Sequence, residues 1–323
     1  MKSEQHIIRN CPELMRLDRY LRLEFEGLTQ GLIEKSIRKG LIKVNEKKAK
    51  SSDRIKNGDV LDLKINVPTN SQGVASGFKP TQAKIVYGAE SLAEKLFTDY
   101  LIEENEHFII INKPSGLSSQ SGTNVRIAID DALNFMNAQI KEEDKINAGF
   151  RLVHRLDKDT SGLFIIAKNR VAATKLATGF QDKIIEKQYL AITTGCPQQP
   201  EGTIQNYLVK DNYNKIQMIA EEGDYAETDY KVIKSSGRYS IILFMPKTGR
   251  MHQIRVHSKE IGCPIVGDPK YGDPEVPGKK MLLHSYRVTI PKDIFGRKYQ
   301  FEARMPDYFL PVLKSKLGME GVY

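Results

Sequence analysis

The segment Arg151–Lys168, RLVHRLDKDTSGLFIIAK, places Asp157 and Asp159 in a charged, turn-forming stretch, His154–Gly162. An apolar run, Leu163–Ala167, follows and reads as a buried strand. A carboxylate on a loop held by such a strand can attack carbon or accept a proton. Asp, Thr, Ser and Gly also build ordinary turns, so the pattern alone leaves both readings open. Two other residues could work with a carboxylate. Arg255 falls in the first turn of a helix whose face carries Ile254, Ser258 and Ile261 and which stops at Gly262-Cys263-Pro264. The strand-like run Ser240–Met245 and the turn Lys247–Arg250 precede it. A guanidinium there can orient a carboxylate and keep it ionised, or can simply be a surface group. Tyr189 opens an apolar strand after a helical segment, Val171–Ile184, and is open to a core or a site role. His252 and His257 stand five residues apart, and neither they nor His154 and Cys263 have metal-ligand spacing. No metal is expected.

The elements that position these groups divide near residue 67. The stretch Val67–Lys84, VPTNSQGVASGFKPTQAK, is polar and broken by Gly and Pro, a linker or surface loop. At 323 residues two domains are expected: 1–66, a linker over 67–88, and 89–323. A second polar stretch, Asn137–Asn147, is expected to connect elements of the larger domain. Hydrophobic residues make up 40% and charged residues 28%, an ordinary globular balance. The net charge of +9 suits a polyanionic partner without requiring one. Cys11, Cys196 and Cys263 are isolated, as in a reducing compartment. The start, MKSEQHIIRN, lacks a signal peptide's apolar run, and runs such as Phe108–Ile111 are too short to span a bilayer. A cytoplasmic location is expected.

The small unit reads as helix, helix, then strands. Leu17, Leu21 and Phe25 share one helical face, with Arg16, Arg19 and Arg22 as a basic stripe beside it. Ile33 and Ile37 mark a second helix carrying Lys35, Arg38 and Lys39, stopped by Gly40. Leu41–Asn45 alternates like a strand, and Asn57-Gly58-Asp59 turns into Val60–Ile65. Such a stripe is either a solvated face or a set of phosphate contacts, and its recurrence on successive turns favours the contacts. Arg16-Leu17-Asp18 with Tyr20-Leu21, then Ile37-Arg38-Lys39-Gly40, Val44-Asn45 and Gly58-Asp59, resembles the S4 RNA-binding domain over the whole unit. The resemblance implies docking to structured RNA.

In the larger unit, His154-Arg155-Leu156-Asp157 with Thr160-Ser161-Gly162 resembles the signature of RluA-type pseudouridine synthases. Three more blocks agree in order: Ile110–Gly116, Glu186–Ala191 and Thr248–His257, the last followed by Gly262, Pro264, Ile265, Gly267 and Asp268. Together they cover nearly all of 106–304. The resemblance implies an α+β fold: an S4 domain joined to a catalytic domain with a mixed, mostly antiparallel sheet and flanking helices. It makes Asp157 the catalytic carboxylate, Arg255 its partner and Tyr189 the residue that stacks on the target base. Arg155 enters the RNA stack as the target nucleotide flips out. The reaction is redox-neutral, and no cofactor is expected. Whether Asp157 attacks sugar or base, or removes a sugar proton, stays open. Lys113 with Pro114 is expected to be structural. The stretch 115–122 and the match over 151–162 look most like the RluC type, which modifies large-subunit (23S) ribosomal RNA. Ser121 departs from the glycine that relatives often carry there. The RluD type is the runner-up. An RNA-binding assembly factor with a decayed site and a carboxylate-dependent hydrolase are the other classes.

Overall fold

The computed structural model describes residues 4–9, 11, 15–25, 28–65, 86–122, 125–141, 148–210, 216–219, 223–276 and 278–319. The chain divides into two compact units, Met1–Gln82 and Ala83–Tyr323. Of the expected linker 67–88, residues 67–85 lie outside the described residues. Residues 86–88 lead into the helix Ala89–Phe97.

In the first unit the helices Leu17–Glu24 and Gln30–Arg38 pack on a small antiparallel sheet ordered Glu4–Ile7, Val60–Leu63, Ile42–Val44, Lys47–Lys48. The helical spacing of Leu17, Leu21, Ile33 and Ile37 buries all four side chains together. Thr29 caps the second helix, its Oγ1 accepting from Leu32 N, and Gly40 ends it at φ +69°. Arg19, Arg22, Lys35, Arg38 and Lys39 are exposed. Arg16 differs from the others of its stripe. It precedes the helix, in the short strand Met15–Arg16, and its guanidinium grips Asp18 at 2.6 and 3.0 Å.

The second unit is built on an eleven-stranded sheet. Its path runs Ile216–Ile219, Glu201–Lys210, Asp224–Ser236, Tyr239–Pro246, Glu186–Thr194, Leu283–Ile290, Ser161–Asn169, Phe108–Lys113, Leu101–Glu104. Tyr299–Glu302 adds to Leu283–Ile290, and Ala148–Leu152 to Ser161–Asn169. Among the described residues one ladder of this sheet is parallel: Ser161 and Gly162 opposite His284 and Ser285. The other ladders are antiparallel.

Both faces of the middle of this sheet are covered, which explains its unbroken apolar runs. Ile109, Ile111, Phe164 and Ile166 face the helices Ala89–Phe97 and Ile129–Ala138. Their alternates, Phe108, Ile110, Leu163 and Ile165, share a cluster with Ala172 and Leu176 of Arg170–Gln181 and with Ile294. The polar stretch expected at Asn137–Asn147 begins inside the helix Ile129–Ala138, and residues 142–147 lie outside the described residues. Asn137 is not a connector residue. Its side chain bonds both Phe150 N and Phe150 O, tying the helix to the next strand. Among the described residues no helix is long and apolar enough to cross a membrane.

Candidate active site

The loop between Ala148–Leu152 and Ser161–Asn169 carries Asp157. The segment after Phe108–Lys113 fastens that loop by its backbone. Ser119 Oγ donates to Leu156 O and accepts from Leu156 N, Gly116 N donates to Lys158 O, and Ser115 Oγ donates to Asp159 O. Lys113 is fully buried, and its Nζ donates to the carbonyls of Pro114, Leu117 and Lys158 at 2.9–3.1 Å. Burial pushes the Lys113 amine down to about 7, against the pull of Asp159 and Asp157. These contacts make Lys113 a brace of the aspartate loop. Ser121 has work of its own. Its N–H and hydroxyl bond Asp130, and the hydroxyl also reaches Asp131, at the start of the helix Ile129–Ala138.

Thr248 Oγ1 and Arg250 N both donate to Gln253 Oε1, which fixes the turn ahead of the helix Gln253–Glu260. Gln253 Nε2 donates in turn to Glu227 O and Thr228 Oγ1 on the neighbouring strand. The helix presents Arg255 from its first turn. One nitrogen, Nη1, donates to Asp157 Oδ2 at 3.0 Å. The other two, Nε and Nη2, grip both oxygens of Asp268 at 2.6 and 2.7 Å. Asp268 Oδ1 also accepts from Lys270 N and Tyr271 N. Burial works to lower the Arg255 pKa, but the Asp268 contacts outweigh it and hold the guanidinium charged. Burial works to raise Asp268, and the Arg255 and backbone donors more than offset it, so its carboxyl lies below the usual range. Asp157, whose side chain is 17% exposed against 5% for Arg255, thus meets a cation already locked from behind.

Tyr189, near the start of Glu186–Thr194, is buried, and its hydroxyl bonds Ser285. Burial pushes the phenol up to about 12, so it is a neutral hydroxyl at physiological pH. Asp157, Tyr189, Arg255 and exposed Arg155 line one cavity of about 500 Å³. His252 stands at its edge with φ +55°, Nε2 3.8 Å from Asp157 Oδ2 and Nδ1 2.9 Å from the Tyr271 hydroxyl. His154 stacks on Phe164 and Phe180. Its Nε2 accepts from Ile165 N at 2.8 Å, and burial pushes it down to about 3. The exposed basic residues of the first unit belong to a separate compact body.

The sequence reading gave no role to Asp268, Gln253 or Ser119. For Asp268 a signal existed. A buried arginine has five N–H donors, more than one carboxylate can satisfy, so a second acceptor was to be sought, and Gly267-Asp268-Pro269 ends an apolar stretch.

A carboxylate, a buried tyrosine and a buried arginine thus share one cavity, the carboxylate held by the arginine. Residues 107–260 match the family RNA pseudouridylate synthase, and residues 15–61 match the S4 domain. The chain belongs to the RNA pseudouridylate synthase family. It is 41% identical over 308 residues to the ribosomal large subunit pseudouridine synthase C of Rickettsia bellii, covering 93% of this chain and 97% of that relative. It is 35% identical over 317 residues to the ribosomal large subunit pseudouridine synthase D of Borreliella burgdorferi, covering 93% and 89%. Human RNA Pseudouridylate Synthase Domain Containing 4 shares the fold at a TM-score of 0.58 and 24% identity, over 70% of this chain and 96% of that structure.

Proposed function

We propose that this enzyme converts uridines of large-subunit ribosomal RNA to pseudouridine, with Asp157 as the essential carboxylate. The observation that carries the reading is the Asp157–Arg255–Asp268 chain at a cavity shared with Tyr189. The reaction breaks the N1–C1′ bond of uridine and forms a C5–C1′ bond. The proton on C5 leaves and N1 gains one, so no electrons are exchanged. Arg255 donates to Asp157 Oδ2 and orients the carboxylate, which leaves Oδ1 for the sugar or base. The neutral Tyr189 covers the base and offers a hydroxyl, not a phenolate.

A cavity of about 500 Å³ has the size of a small-ligand site, so it admits one nucleotide and excludes a duplex. The target uridine is therefore flipped, and Arg155 at the rim takes its place in the stack. The unit 1–66 anchors the RNA through Arg19, Arg22, Lys35, Arg38 and Lys39, with Arg16 shared between phosphate and Asp18. Residues 67–88 link it to the catalytic domain 89–323, and the enzyme works in the cytoplasm. C-named relatives lie at 29–41% identity, on both sides of the D-named relative at 35%, and the Rickettsia members at 40–41% favour C-type site choice.

Release of tritium from ribosomal RNA labelled at uridine C5, with chromatography of the product nucleosides, tests the reading. Pseudouridine is the expected product. Free uracil would mean a hydrolase, and bound RNA with no release would mean a binding factor.

A further inference from the structure

Of the cavity-lining cations without a task in the mechanism above, Lys183 and Arg250 are exposed and Lys187 is not. Lys187 lies two residues ahead of Tyr189 on Glu186–Thr194, and both line the cavity. Two residues along a strand span roughly 6.6 Å, on the order of one sugar unit. Lys187 is half-buried, and among the described residues its ammonium has neither a hydrogen bond nor an ion pair. Its neighbour His154 is neutral and already accepts from Ile165 N. Asp157 is the one carboxylate among the residues lining the cavity, and Arg255 holds it. Burial has pushed the Lys187 amine down to about 8.

An ammonium out of water without a counter-charge is costly, and an arriving anion removes that cost. The strand continues past Tyr189 into the buried sheet, whereas Glu186 and Lys183, on the other side of Lys187, are exposed. Lys187 therefore stands toward the mouth of the cavity, which Arg155 and Lys183 also line. We propose that Lys187 binds a phosphate of the nucleotide whose base enters the cavity, and so measures the distance from backbone to base. This rests on the cavity being a nucleotide site. A phosphate fits better than a uracil carbonyl because it brings a full charge, and because it hangs at the mouth when the base is seated inside.

The test uses the full-length protein and a ribosomal RNA fragment containing the target uridine. Lys187→Met keeps the unbranched stem as far as Cε and removes the charged amine. It should weaken Kd about tenfold, the scale of one charge-assisted hydrogen bond. The slope of log affinity against log salt should become shallower by roughly 0.7–0.9. Lys187→Arg should restore most of both. A second arm places methylphosphonates at the linkages flanking the target uridine, with 2′-O-methyl sugars on their 5′ sides, and compares a matched RNA with ordinary linkages. Neutralising those linkages should cost the wild-type protein about tenfold more than it costs Lys187→Met.

Equal losses for the two proteins, or an unchanged Kd and salt slope in Lys187→Met, would overturn the proposal. So would an unchanged Kd with a slower single-turnover rate, which would assign Lys187 to the base. Wild-type protein that binds the RNA but forms no pseudouridine would sink the functional reading and leave both binding arms able to judge Lys187.

Discussion

The two carboxylates on Arg255 should separate stability from activity when each is replaced by its amide. Asp268 is the inner partner, with a fully buried side chain, both oxygens on Arg255 and one of them on two backbone N–H groups. Asp268→Asn puts an NH₂ where an acceptor is needed and leaves a buried guanidinium half-paired. Breaking a buried pair in this way costs about 3–5 kcal/mol. Asp157 is the outer partner, with one bond to Arg255 and access to the cavity. In Asp157→Asn the amide oxygen can still accept that bond, so the cost should be about 1 kcal/mol or less. Turnover should vanish in Asp157→Asn, which has lost the charge, while RNA binding stays close to wild type. In Asp268→Asn it should fall about 100-fold, because Arg255 loses its fixed orientation. The chain has no tryptophan, so urea unfolding is best followed by far-ultraviolet circular dichroism, with tritium release as the activity readout.

The acid limb sharpens this comparison. The Asp268 carboxyl lies lower in the folded state than its ordinary value of 3.8. Its contribution is therefore present above that value and lost as pH falls through the folded pKa. The stability gap between wild type and Asp268→Asn should hold at neutral pH, begin to narrow near pH 3.8 and close only as pH falls through the lower folded pKa. An Asp268→Asn protein as stable as wild type at pH 7, or an Asp157→Asn protein destabilised as much, would refute the division of labour.

Arg255→Lys should lose much of its activity, because a point charge cannot serve Asp157 and both Asp268 oxygens at once, and a neutral replacement should lose more. Wild-type turnover by Arg255→Ala would contradict the pairing. Deleting residues 1–66 should weaken RNA binding and reduce the salt slope by a few units, at roughly 0.7–0.9 per lost phosphate contact, with the single-turnover rate on saturating RNA little changed. An unchanged slope would remove the case for an RNA anchor. His154, His257 and His284 are pushed by burial to about 3, 4 and 4, so they are neutral when folded and charged when unfolded below their usual value of 6.5. Unfolding near pH 5 should then take up close to three protons, and stability should fall with pH by as much as roughly 4 kcal/mol per unit. Proton uptake measured calorimetrically in two buffers of different ionisation heat checks this, and no uptake would exclude it.

What could be read in advance follows the range of the forces involved. Helices and strands were legible where one repeating pattern met one buried face. Leu17, Leu21, Ile33 and Ile37 are helical examples, and the runs 108–111 and 163–167 betray strands covered on both sides. The helix Gln253–Glu260 likewise sets Arg255 in its first turn. Polar residues were read less well, because their partners are chosen by the fold. Arg16 looked like part of a free stripe, but an aspartate two residues on takes it. Asn137 looked like connector and is a clamp. Gln253 carries no periodic signal, yet it bonds a turn on one side and a strand on the other.

The position of Asp157 follows from how the sheet is joined. Phe108–Lys113 takes one edge of Ser161–Asn169 over residues 162–167. The other edge meets Leu283–Ile290 at Ser161 and Gly162, then Ala148–Leu152 from Ile166 onward. Gly162 makes the first contact possible. It has φ +108°, and a Cβ there would lie 2.2 Å from Ser285 O. Between the two pairings the edge is open, and an orphaned N–H in a buried strand must find an acceptor. His154 supplies one to Ile165, wedged between Phe164 and Phe180. The cavity lined by His154, Phe180 and Tyr189 occupies this split. The loop crossing from Leu152 to Ser161 delivers Asp157 to it, three residues after the histidine that seals the open edge. The signature His154-Arg155-Leu156-Asp157 thus closes the sheet edge at its first residue and faces the cavity at its last, so a change at His154 should damage folding before it damages the site.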